Sequence, residues 1–345
     1  MDIKENIFGM TPEGKKVKIF TLEKSGIEAR VITYGGILQK LAIPDKEGDW
    51  DDIVLGFDSL QGYLKDDSYL GATIGRYANR ISEGIIDIDG EKIQLPQNDG
   101  KNHLHGGERG FNNVVWKAKK IKNDESIGVK LTYISEDGEQ NYPGNLKTNV
   151  TYLLEEKKLK IIFEAETDKK TPVNMTHHSY FNLTGARRDI LDHELKIKGE
   201  YYLPVNSDLI PTGEKKKVEN TPMDFTTLKK IGARIEDVEG GYDHNWILNK
   251  ENNRLEYAAE IVEPQTGRRV KLYTTKPGLQ FYSGNSLGFN GKKNTFYEDH
   301  YGLCLEPQYY PDSPNQSDFP FSYLEPGDKY EHKIVYEFDT VKNIE

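Results

Sequence analysis

The chain has a single cysteine, Cys304, in 345 residues. With no second thiol it can form no internal disulfide, and a zinc site built on cysteines is excluded. Long hydrophobic runs are missing as well. No stretch approaches the roughly 20 apolar residues of a membrane-spanning helix, and the opening MDIKENIFGMTPEGKK has no apolar segment of the secretory kind. A soluble, cytoplasmic protein is therefore expected. Positive charge is in the minority, with 46 Lys and Arg against 56 Asp and Glu. The resulting net charge of −10 repels phosphate backbones and anionic lipid, so neither nucleic acid nor membrane is an expected partner. There is no linker rich in Pro, Ser or Gly and no internal repeat of the solenoid or propeller type. One domain over residues 1–345 is the reading that remains. Helical periodicity is scarce, since only FDSLQGYLKD (57–66) and FTTLKKIGARI (225–235) are compatible with a few turns.

What is present in quantity is alternation of period two. KVKIFTLE (16–23), IEARVITYGG (27–36), SIGVKLTYIS (126–135), KTNVTYLL (147–154), KLKIIFEAE (158–166), RRVKLYTT (268–275) and HKIVYEF (332–338) alternate apolar with polar residues or carry β-branched and aromatic runs. Within GIIDIDGEKIQL (84–95), Asp89-Gly90 stands between two such runs, the strongest short-range signal for a two-residue hairpin. A further hairpin is expected at Glu155 to Lys157. The fold class that follows is all-β, a large antiparallel two-sheet sandwich with few short helices.

Polar residues that strand logic does not require cluster in GRYANRI (75–81), NHLHGG (102–107), MTHHSYFNL (175–183), YDHNW (242–246) and LCLEPQ (303–308). In LCLEPQ, alternation puts Leu303 and Leu305 on one face and Cys304 and Glu306 on the other, with Pro307 ending the strand. Glu306 is then either a strand-end carboxylate reaching water or a partly desolvated general base with a raised pKa. His177 and His178 point to opposite sides of a strand, so at most one faces a given pocket. His103 and His105, at i and i+2, would share a face, the spacing of a two-histidine metal site; His178, Asp243 or Glu306 would supply further ligands. The glycines Gly106-Gly107 argue against it, because the chain leaves the strand or turns just beyond His105. Arg76 and Arg80 would share a face, either as ion-pair partners or, for Arg80 beside Asn79, as donors to a hydroxyl-rich ligand. Asp243 either caps a turn or accepts from hydroxyls, and Gln280 faces away from Leu279 and Phe281.

These residues carry a resemblance. VITYGGILQKLAIPDKEG, DIVLGFDSLQGYL, GATIGRYANRI, NHLHGG, THHSYFNLTG, YDHNW, PGLQFYSGN and LCLEPQYYPDSPNQSDFP stand in the order in which the aldose 1-epimerase (galactose mutarotase) family has them, so the chain resembles that family over nearly its whole length. The resemblance implies a broad open cleft on a large β-sandwich. It implies an isomerase that interconverts the α and β anomers of free aldoses such as galactose and glucose without a cofactor or metal, as a monomer or homodimer. By the same resemblance His178 is the general acid and Glu306 the general base. His105 lies beside the reacting centre, and Asn79, Arg80, Asp243 and Gln280 hold sugar hydroxyls. No role carries over to His103. The rival readings are a glycoside hydrolase using Asp243 and Glu306, a hexose-phosphate 1-epimerase, and a non-catalytic sugar-binding protein.

Overall fold

The computed structural model describes residues 2–251 and 253–341. Three sheets make the bulk of it. A nine-stranded sheet runs in the order Lys117–Lys122, Ile127–Ser135, Leu146–Leu154, Lys158–Thr167, Tyr330–Thr340, Arg268–Thr274, Glu256–Val262, Glu194–Ile197 and Lys229–Lys230. A six-stranded sheet runs Tyr180–Phe181, Leu303–Gln308, Gly278–Tyr282, Asp243–Ile247, Tyr201–Leu203 and Lys216–Lys217. The first five strands, from Asp2–Met10 to Trp50–Asp52, form a meander of their own. Every ladder in the three is antiparallel.

The alternation read from the sequence determines which faces close. Val129, Val150, Ile161, Leu272 and Ile334 of the large sheet, Phe281, Leu303 and Leu305 of the six-stranded sheet, and Leu22, Val31 and Leu41 of the meander belong to one continuous core. Phe181 meets Tyr336 edge-on across the interface, ring centres 5.1 Å apart. The expected sandwich is present, with its second layer divided between the six-stranded sheet and the meander. Packing one face of the six-stranded sheet into this core leaves Asp243, Gln280, Tyr282, Cys304 and Glu306 on the opposite face.

Asp89 and Gly90 join Ile85–Ile88 to Glu91–Gln94 with φ of 56° and 88°, both positive as a two-residue hairpin requires. The turn at Glu155 to Lys157 also forms, joining Leu146–Leu154 to Lys158–Thr167. Three expectations need correction. FTTLKKIGARI contains no α-helix: Lys229–Lys230 pairs as an edge strand with Glu194 and Leu195, and 3₁₀ turns follow at Ile231–Ala233 and Ile235–Asp237. The helix in 57–66 is a single turn, Leu60–Tyr63. Nor does Pro307 end its strand, which continues to Gln308. The Pro307 carbonyl accepts from Thr176 Oγ1, on the edge away from Gly278–Tyr282, so the ladder to those residues does not need the missing N–H.

Candidate active site

An open cleft of about 990 Å³ lies over the polar face of the six-stranded sheet. Its floor comes from neighbouring strands. Gln280 is paired with Glu306, and Asp243 and Cys304 flank Tyr282, so four chemically active side chains project from three adjacent strands. Glu306 lines the cleft yet is 2% exposed. It accepts no hydrogen bond from the protein among the described residues, and its Oε2 has no partner. Burial without donors, reinforced by the nearby Asp243 carboxylate and opposed by Arg80, pushes its pKa well above the usual carboxylate range.

His178 comes from a different element, the short strand Thr176–His178, which pairs with Ala72–Ile74. Its Nε2 lies 3.6 Å from Glu306 Oε1, and its Nδ1 lies 3.4 Å from Cys304 Sγ. Burial lowers the imidazole to about 4. Burial thus favours the neutral form of each partner. When Nδ1–H points at the sulfur, a weak acceptor, the Nε2 lone pair faces Glu306 and can receive a proton from it. His177 turns the other way, between Tyr152 Oη and Ser179 Oγ at 3.0 Å each, as strand geometry requires.

His105 and Asn79 hold each other in place. The Asn79 N–H donates to His105 Nδ1 (3.1 Å) and the His105 N–H donates to the Asn79 carbonyl (3.2 Å), with both residues left-handed at φ 52° and 64°. That hydrogen bond fixes the tautomer. A backbone N–H can only donate, so Nδ1 carries the lone pair and Nε2 carries the hydrogen. His105, His178 and Glu306 have ligand atoms within 4.8 Å of one another, compact enough to invite a metal reading. His105 nevertheless offers the cleft an N–H and not a lone pair, so the trio does not fit a metal ion. Gly106, at φ 90°, completes the turn: a β-carbon there would collide with the Gly75 carbonyl. Tyr69 packs across both rings, 4.8 Å from His105 and 5.8 Å from His178.

The residues expected to hold hydroxyls are linked by hydrogen bonds. Gln280 Nε2 donates to Asp243 Oδ1 (2.6 Å), Arg80 Nε donates to Asp99 Oδ2 (2.7 Å), and Arg80 Nη1 lies 3.8 Å from Asp243 Oδ2. The Asn79 side-chain oxygen accepts from the Arg80 N–H. Asn79, Arg80, His105, His178, Asp243 and Glu306 all line the cleft; Gln280 lies behind them and reaches it only through Asp243.

Two pairings that the spacing offered come apart, the first as Gly106-Gly107 suggested. The strand at His103–Leu104 is two residues long, and the left-handed His105 turns its ring away from that of His103. His103 is fully buried between the Pro96 carbonyl (2.7 Å) and Tyr142 Oη (2.6 Å). His103→Ala is expected to cost about 1–3 kcal/mol of stability by stranding these partners while leaving the turnover of folded enzyme unchanged; urea unfolding and a rate measurement on the same sample separate the two. Arg76 and Arg80 also diverge, because Arg76 is buried on Ser135 Oγ and on the carbonyls of Ser135, Glu136 and Pro143. Sequence reasoning missed Tyr69 and Asp99, which no spacing marks, and placed Cys304 on the face of Glu306 without bringing it to His178.

The sequence profile of one family, described as aldose 1-epimerase, matches residues 18–337. The chain belongs to the aldose 1-epimerase family. It is 41% identical to the human galactose mutarotase over 337 residues, covering 96% of this chain and 97% of that one. It is 37% identical to the aldose 1-epimerase of Escherichia coli K12 over 339 residues, 95% and 97% of the two chains. Among solved structures, an aldose epimerase homologue from C. elegans superimposes with a TM-score of 0.87 at 29% identity, over 94% of this chain and 99% of the other. A galactose 1-epimerase from Lactobacillus acidophilus NCFM gives 0.85 at 30%, over 98% and 99%.

Proposed function

We propose that the protein is an aldose 1-epimerase, an isomerase that interconverts the α and β anomers of free aldoses such as galactose and glucose by opening and reclosing the pyranose ring. The observation that carries this is the buried His178–Glu306 pair, 3.6 Å apart on the floor of an open cleft with hydroxyl-binding groups around it. Ring opening removes a proton from the C1 hydroxyl and adds one to the ring oxygen. Sugar hydroxyls entering the cleft supply the donors that Glu306 lacks and stabilise its carboxylate, so its proton passes to His178 Nε2. Glu306 then takes the C1 hydroxyl proton, and His178 gives its proton to the ring oxygen. The pair is left neutral, the form that burial favours. Rotation about C1–C2 presents the other face of the aldehyde, and reclosure returns both protons by the reverse transfers. No proton is consumed, so the step needs no cofactor.

His105, as an Nε2–H donor, stabilises charge developing on a sugar oxygen. Asn79, Arg80 and Asp243 hold hydroxyls, with Gln280 orienting Asp243. Asp243 is tied to Gln280 and faces Arg80, so it belongs to this binding set and is not the free second carboxyl that a glycoside hydrolase needs. The reading extends to one domain over 1–345, supported by the core shared among the three sheets. It takes a monosaccharide as the partner, not nucleic acid or membrane, in keeping with a net charge of −10 and with no helix among the described residues long and apolar enough to cross a membrane. A cytoplasmic monomer or homodimer completes it.

The test is polarimetry of freshly dissolved α-glucose and α-galactose. Acceleration over buffer is expected, unchanged by chelator because His105 presents an N–H. Glycoside hydrolysis without mutarotation would overturn the proposal, and chelator sensitivity would overturn the tautomer assignment.

A further inference from the structure

The cleft carries more carboxyl groups than proton transfer requires. Of the acidic and basic side chains on its walls, Asp67, Asp237, Glu239, Asp243 and Glu306 are carboxyl groups, and Arg80 is the one lysine or arginine. Arg80 is already committed, donating to Asp99 at 2.7 Å and lying 3.8 Å from Asp243. The histidines do not redress the balance, because burial favours the neutral forms of His105, His178 and His244. The surplus has two parts. Asp67 on one lip, and Asp237 and Glu239 on another, are exposed at the rim. Asp243 lies within, beside Glu306, whose carboxyl is 2% exposed with Oε2 unpartnered and is held toward its neutral form by burial.

We propose that this cleft selects its aldoses by charge, accepting cationic amino sugars such as 2-amino-2-deoxyhexoses at least as well as neutral hexoses, and turning away hexose phosphates and uronates. The inference rests on the aldose 1-epimerase reading and adds a substrate class to it. An ammonium at C2 stands one carbon from the hydroxyl that Glu306 deprotonates, so it brings a positive charge to Asp243 and Glu306, beside which the Arg80 guanidinium is already shared with Asp99. It favours the carboxylate of Glu306, the form that acts as base. An amine replaces a hydroxyl with almost no change of size, so shape does not oppose the exchange. A phosphate or carboxylate adds instead to the surplus and meets the rim carboxylates during approach. Since the rim is open to water, its share of the discrimination falls on kcat/KM and weakens with salt, over a screening length of about 8–10 Å at ordinary ionic strength.

The experiment measures kcat/KM by polarimetry or exchange NMR for glucose, 2-amino-2-deoxyglucose, glucose 6-phosphate and glucuronate, in mildly acidic buffer that keeps the amine protonated, at low and high salt, with the uncatalysed rate subtracted. The amino sugar is expected to match or exceed glucose, and the two anions to fall below it by about tenfold or more at low salt, with the gap narrowing as salt is added. A triple variant, Asp67→Asn, Asp237→Asn and Glu239→Gln, should leave kcat for glucose unchanged and narrow the gap severalfold. Glucose 6-phosphate turned over as well as glucose at low salt, an amino sugar much poorer than glucose, or ratios that neither salt nor the rim variant moves would overturn the inference and leave the mutarotase reading standing. Failure to accelerate glucose itself would overturn that reading and this inference with it.

Discussion

Glu306→Gln is expected to slow mutarotation by about 10³-fold, within the 10²–10⁴ that a positioned acid or base typically contributes, while sugar still binds. Glutamine keeps the shape and the hydrogen-bonding capacity of the side chain but cannot take the C1 hydroxyl proton. Because no protein donor holds the Glu306 carboxyl, the substitution breaks no hydrogen bond, and the fold should tolerate it. Its effect on stability has a definite sign. A carboxyl whose folded-state pKa is raised by burial contributes most to stability below its unfolded value of 4.5 and loses that contribution as pH rises through the folded value. At neutral pH the variant is therefore expected to melt at the same temperature as the wild type or higher. Stopped-flow polarimetry and calorimetry on one preparation check both halves. A residual rate within tenfold of wild type, with native melting, would remove Glu306 from the reaction.

His178→Asn is expected to lose a comparable factor, about 10²–10⁴, and to change the pH profile in a way that a structural role would not. In the proposed mechanism the active pair carries one proton between two groups, so the rate should fall when a second is added and when the last is lost. Adding the second proton charges His178 against its burial, near pH 4, which sets the acid limb. Losing the last ionises Glu306, so the alkaline limb lies above the ordinary glutamate range. In the asparagine variant the acid limb near 4 should vanish from whatever activity remains. His103, His177 and His193, lowered by burial to about 4, 3 and 4, also destabilise the fold as pH falls from their unfolded value of 6.5 toward those figures. Circular dichroism at each pH must therefore separate a titrating active site from an unfolding chain. An acid limb that persists in the variant and does not track unfolding would assign it to another group.

Most of the fold was legible because it is made of long alternating strands whose pattern survives without context: 158–167, 268–274 and 330–340 are where their residues predict, and Asp89-Gly90 turns as it reads. The exceptions have local causes. FTTLKKIGARI carries helix-compatible spacing, but its two lysines are recruited as an edge strand by Glu194 and Leu195, a pairing about 35 residues away that no local pattern reports. At the site, alternation placed Glu306 on the polar face and separated His177 from His178. The depth of Glu306 was not legible, because its burial depends on strands and loops remote in sequence. The separation of His103 from His105 was legible in part, from Gly106-Gly107, but not its cause, a left-handed backbone at a residue that is not glycine. Tyr69 and Asp99 escaped notice for the same reason as most supporting residues: their chemistry is common, and only the fold brings them to the site.

The reciprocal bonds between Asn79 and His105 also bear on the timing of reorganisation. In water, a dipole that stabilises a developing oxyanion must rotate into place during each reaction, and that rotation is part of the barrier. In the proposed reaction, the His105 proton is already on the nitrogen that faces the cleft, held there by a backbone amide that has no alternative tautomer. The alignment is completed once, when the chain folds, and every later turnover meets a donor that does not have to move.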